Sequence, residues 1–134
     1  TVSEEQLDDG ACDFPRINDD RIGLYSEFGY CMQLKTDVKD LTFGENLYKY
    51  HLETGKRTDH HLGDNVAGGE PVFAPKPGAT QEDEGWILSL VHERESRISK
   101  LIIIDAQSFD QPPVAEVIIP QRVPYGAHGS WIQN

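Results

Sequence analysis

The sequence predicts an all-β fold. Three observations predict it: apolar runs of strand length fenced by glycine, proline and charge; alternation of side-chain character through residues 46–53; and the lack of any helical period long enough to build a helix.

The elements follow in order. Residues 1–11 (TVSEEQLDDGA) are acidic and aperiodic and read as a loop or linker ahead of a folded portion spanning 12–134. In Cys12-Asp13-Phe14-Pro15-Arg16, the proline biases Phe14 toward an extended backbone. Residues 24–35 are aromatic-rich and read as a strand bent at Gly29. Residues 46–53 and 57–62 form a hairpin around Thr54-Gly55-Lys56. A glycine-rich loop fills 63–69, a short strand 70–75, and an acidic loop 76–84. Strands at 85–92, 99–106 and 113–119 then form an antiparallel meander. The middle one is apolar on both sides, with Leu101 and Ile103 opposite Ile102 and Ile104, which predicts layers above and below it. Such spacing suits a sandwich, a barrel or propeller blades, and the length allows about two blades of roughly 40–50 residues.

Charge narrows the function. Twelve basic residues against 23 acidic ones give a net charge of -11, which repels nucleic-acid backbones and anionic lipid. No apolar run approaches the roughly 20 residues of a membrane span. Thr1 opens straight into an acidic segment with neither an initiator methionine nor a basic-then-apolar signal, so the chain reads as cut from a longer one. Cys12 and Cys31 lack a CxxC spacing, which leaves zinc or thioredoxin-type chemistry unsupported. One pair could bridge in an oxidising compartment, but with no signal peptide they read as free thiols in a reducing cytoplasm.

Several polar residues invite a chemical reading. His60 and His61 are adjacent on a strand and point to opposite faces, so they do not share an ion easily; they read as a solvated strand end. His51 and His92 lie among alternating apolar residues and read as partly buried structural histidines. His128, in Val123-Pro124-Tyr125-Gly126-Ala127-His128-Gly129, has glycines that permit close approach; it is either an ordinary loop histidine or a ligand. Glu70 opens an apolar strand and is either a solvated acid or the partner of a metal-bound imidazole. Asp13 is either a turn-capping residue or a similar carboxylate.

Four collinear motifs bear on these alternatives. Asp13-Phe14-Pro15-Arg16-Ile17-Asn18, Gly69-Glu70-Pro71-Val72-Phe73, Asp83-Glu84-Gly85-Trp86-Ile87-Leu88-Ser89 and Arg122-Val123-Pro124-Tyr125-Gly126-Ala127-His128-Gly129 together resemble the carotenoid cleavage oxygenase family, over about residues 12–132. That family includes apocarotenoid and lignostilbene dioxygenases and a retinoid isomerase. The resemblance implies the C-terminal blades, about two, of a seven-bladed β-propeller, with residues 12–134 as that portion. It implies a non-haem Fe(II) held by four histidines, of which His128 matches the last. Glu70 matches a glutamate that orients a ligand histidine, and Asp13 matches another such carboxylate, commonly a glutamate. The three other histidines would lie upstream of Thr1.

The implied reaction is dioxygenase cleavage of a conjugated double bond in a carotenoid, apocarotenoid or stilbene by O₂, giving carbonyl products. Implied partners are a lipophilic or aromatic substrate, O₂ and the remainder of the propeller chain, with any peripheral membrane contact outside this segment. Phe73 and Tyr125 flank the motifs as tunnel aromatics or as core. Two other readings stay open: a non-catalytic binding module on the same scaffold, and an isomerase that uses iron as a Lewis acid.

Overall fold

A computed structural model describes residues 2, 4–36, 42–126 and 128–132. Thr1 and Ser3 of the N-terminal stretch, Ala127 of the last motif and the final residues 133–134 lie outside the described residues. The strands are β1 (Cys12–Arg16), β2 (Phe28–Lys35), β3 (Thr42–His51), β4 (Lys56–His61), β5 (Val66–Ala67), β6 (Val72–Pro75), β7 (Gly85–Glu93), β8 (Ser99–Asp105) and β9 (Ala115–Ile119). Two 3-10 turns are the helical elements among the described residues, so the all-β prediction holds.

All pairings are antiparallel and fall into two sheets. The first runs β1-β2-β3-β4. The second runs β5-β7-β8-β9, with β6 also paired to β7. Because β5 meets the C-terminal end of β7 and β6 its N-terminal end, the two act as one interrupted strand. The predicted meander is present: Ile87 faces Ile104 across β7–β8, and Leu101 faces Val117 across β8–β9.

The sheets pack through one core. Met32 and Leu47 from the first meet Phe73, Ile87 and Ile104 from the second, and Met32, Leu47, Ile87 and Ile104 are fully buried. Burying each such side chain contributes about 1.5–3 kcal/mol. The alternation read in β3 divides its residues: Leu47 enters this core, while Tyr48 and Tyr50 join Cys31 on the other face.

Several expectations change. Phe14 is not extended: its φ is 55°, and the β1–β2 register slips between Asp13 and Arg16. The bulge overrides the proline bias and turns the Phe14 ring onto Phe43, with centroids 5.8 Å apart. β2 begins at Phe28 rather than residue 24, because Leu24 and Tyr25 are exposed and the buried Glu82 carboxylate takes the N–H groups of Glu27 and Phe28. Its irregularity lies between Met32 and Leu34 rather than at Gly29. There the Gln33 side chain accepts from Glu45 N–H and the Asn46 amide, and Gly44 has no Cβ to block it. The glycine-rich loop contains a strand, β5. Among the described residues β8 is covered on one face: Ile102 and Ile104 enter the core, while Leu101 and Ile103 are half-exposed.

Candidate functional site

The site forms where the strand β5–β6 is interrupted. Pro71 has no N–H to offer a ladder, and Gly69 passes so close to β7 that a Cβ would stand 2.4 Å from the Leu90 carbonyl oxygen. Ser89 Oγ fixes this approach by donating to Gly69 O at 3.0 Å. Pairing is therefore suspended across Gly68–Pro71, and Glu70 turns toward the C-terminal segment. Its side chain is 8% exposed, so the carboxylate needs partners.

Three partners meet it. His128 Nδ1 donates to Glu70 Oε1 at 3.1 Å, and Gly129 N–H donates to Oε2 at 2.6 Å. Arg16 Nη1 donates to Oε1 at 3.2 Å and to Gly129 O at 2.6 Å, while its Nη2 holds Asp19. Burial raises the Glu70 carboxyl, but the hydrogen bonds from His128, Gly129 and Arg16 outweigh it and hold the group below the usual carboxylate range. A charged Glu70 fixes the neutral His128 ring as the Nδ1–H tautomer, which leaves the Nε2 lone pair available. That imidazole is 75% exposed.

An aromatic row supports the ring. Phe14 packs against His128 at 5.6 Å between centroids, Phe43 against Phe14, and Tyr125 against Phe43 at 5.0 Å. A left-handed backbone at a bulky residue is costly, and at Phe14 it accompanies this contact. Beside the row lies a cavity of about 300 Å³, largely apolar, walled by Phe43, Val72, Leu88, Leu101 and Tyr125 and reached by Glu70 and His128.

Sequence-predicted residues thus fare differently. Glu70 and His128 are brought together. Asp13 is exposed and bonds Phe14 N–H through Oδ1 at 2.7 Å; it does not meet His128. Tyr125 walls the cavity, whereas Phe73 is buried in the core beside Tyr30. His60 and His61 do point apart: His61 is exposed, but His60 is buried against the Phe109 carbonyl at 2.8 Å and is no solvated end. His92 is buried near Ser99 and borders the cavity. Arg16 and Phe14 were not singled out from the sequence; their place beside a carboxylate motif residue, Asp13, was the available signal.

Among the described residues no group of three or more His, Cys, Asp or Glu side chains is placed to hold a metal ion. One imidazole with its far nitrogen committed to a buried carboxylate nevertheless fits a single corner of a histidine-ligated site. The fold and this corner define the class: an antiparallel β protein offering one oriented histidine beside an apolar cavity.

Comparison with known proteins gives the family. The family model described as RPE65, retinal pigment epithelial membrane protein, matches residues 1–133. The chain belongs to this family, that of the carotenoid cleavage oxygenases. It is 30% identical, over its full length, to the apocarotenoid-15,15'-oxygenase of Synechocystis, covering 27% of that protein. It is 35% identical to a carotenoid cleavage oxygenase of Mycobacterium tuberculosis, over 97% of this chain and 26% of that one. The crystal structure of cobalt-substituted Synechocystis apocarotenoid oxygenase superposes with a TM-score of 0.90 at 30% identity, over 100% of this chain and 28% of that chain. The chain therefore spans about a quarter of the length of these relatives.

Proposed function

We propose that this chain is part of a non-haem Fe(II) dioxygenase that cleaves a conjugated C=C bond of a carotenoid, apocarotenoid or stilbene to carbonyl products. The observation that carries this reading is the Glu70–His128 pair beside an apolar cavity. Family membership and the relatives' names support it. The two sheets, with β5 and β6 counted as one interrupted strand, are read as two blades of a seven-bladed propeller whose remaining blades lie outside these residues.

When bound, Fe(II) supplies activation of O₂ toward the double bond. His128 contributes Nε2 as one ligand, and three further histidines come from the rest of the protein. Glu70 keeps the proton on Nδ1 and fixes the ring plane. Arg16 keeps Glu70 ionised and ties it to the Gly129 carbonyl. The apolar wall takes the substrate and excludes water. Asp13 holds the Phe14 backbone, and any imidazole it orients belongs to chain outside these residues.

The test is iron content and product analysis of the full-length protein, given an apocarotenoid and a stilbene under O₂. Stoichiometric iron with two carbonyl products supports the reading. A rearranged, uncleaved product would replace it with isomerase chemistry, and protein without iron or turnover would reduce it to a binding module.

A further inference from the structure

Two cysteines stand apart from the site. Cys12 lies opposite Gln33 and Asp13 opposite Met32 in the antiparallel β1–β2 pair. Residues two apart on a strand share a face, so Cys31 projects on the same face as Gln33 and therefore as Cys12. The two are diagonal neighbours on adjoining strands. Cys31 is buried under Tyr48 and Tyr50, while Cys12 is exposed. Burial raises the Cys31 thiol first, and the Cys12 thiol beside it raises it further. Diagonal neighbours stand about 7–8 Å apart, and a disulfide needs Cα atoms within about 4.4–6.8 Å. The register slip between Asp13 and Arg16 adjoins this pair, and closing the bond requires β1 to move toward β2 by about an ångström.

We propose that Cys12 and Cys31 form a reversible disulfide, a modification site that fastens the first strand to the second. The oxidant is a small-molecule disulfide. The exposed Cys12 thiolate attacks one of its sulfurs, forming a mixed disulfide and releasing one small thiol. Cys31 then gives up its proton and attacks the Cys12 sulfur; the second small thiolate leaves and takes up a proton. Two electrons pass from the cysteine pair to the small disulfide, which ends as two thiols. The ring closed between Cys12 and Cys31 contains Phe14 and Arg16, which contact His128 and Glu70, so oxidation restrains that side of the site. The bond is independent of whether His128 binds iron.

The experiment treats native full-length protein with glutathione disulfide, alkylates remaining thiols, and digests with trypsin without reductant. The expected result is a peptide containing Cys12 and ending at Arg16 joined to Ile22–Lys35. It disappears with dithiothreitol and in Cys12→Ser or Cys31→Ser. Thermal unfolding of the oxidised wild type moves upward, and that of Cys12→Ser does not. Recovery of both cysteines alkylated, or as separate glutathione adducts, from protein shown folded by circular dichroism overturns the proposal. So does a linked peptide that appears only in denaturant.

Discussion

Glu70 and Glu82 are two nearly buried carboxylates with opposite kinds of partner. Glu82, 6% exposed, accepts from the backbone N–H groups of Glu27 and Phe28 and lies 3.7 Å from Arg21. Its hydrogen-bond donors are backbone N–H groups fixed at the start of a strand. Glu70, 8% exposed, shares itself among an arginine, a backbone N–H and an imidazole that is itself 75% exposed. Burial alone therefore does not separate a structural acid from a functional one. What separates them is whether the carboxylate spends a bond on a side chain that still has a reactive atom facing outward.

This contrast can be broken at several points. In the full-length protein, His128→Ala should lose bound iron and turnover altogether, read by metal analysis and product assay, because no water replaces an imidazole with equal field or direction. Wild-type iron and turnover in that variant would make His128 an ordinary loop histidine. Glu70→Gln should lie at the mild end of a roughly 10- to 100-fold loss in metal affinity or activity, since an acceptor oxygen remains. Arg16→Lys should weaken iron retention less, because the charge beside Glu70 is kept, while the bonds that span Glu70, Gly129 and Asp19 at once are lost.

Glu82→Gln should do the reverse. It should cost about 2 kcal/mol of stability in urea unfolding, with iron per folded molecule unchanged. Iron loss without destabilisation would erase the distinction between the two acids.

A smaller effect is expected from His60. Burial pushes its imidazole below the usual range, with His61 acting the same way and the Phe109 carbonyl and Asp110 opposing. The folded state therefore binds the proton less readily than the unfolded one. As pH falls through about 6.5, the unfolded state gains the proton first and stability drops. His60→Phe should flatten unfolding free energies between about pH 7.5 and about pH 5.5. The smallest effect belongs to Asp13→Asn, which keeps an oxygen for Phe14 N–H; iron retention should change a few-fold at most, and a loss matching Glu70→Gln would place Asp13 on a ligand imidazole.

How much was legible from sequence depended on what each segment buries. β7 to β9 were readable because apolar runs between charged loops have few other solutions. β5 was not, since its two residues sit among glycines and gain their pairing from β7. β1 was obscured by Pro15, whose local bias is overridden by a bulge and by aromatic packing on Phe43 and His128. Glu70 and His128 could be nominated from their motifs, but their contact joins residues 58 apart and is a product of tertiary structure. Arg16 remained hidden for the same reason. A basic residue after proline has no local signature that marks its destination as a buried carboxylate.

The suspended pairing at Gly68–Pro71 also bears on the order of assembly. Glu70 waits for Arg16 from 54 positions earlier and His128 from 58 positions later, while the Arg16–Gly129 bond closes a span of 113. Contacts of such separation form late, because loop closure must precede them. During synthesis both sheets can therefore condense before Gly129 leaves the ribosome. Until then Glu70 has no imidazole to orient, so the Glu70–His128 contact is completed only after both sheets are in place.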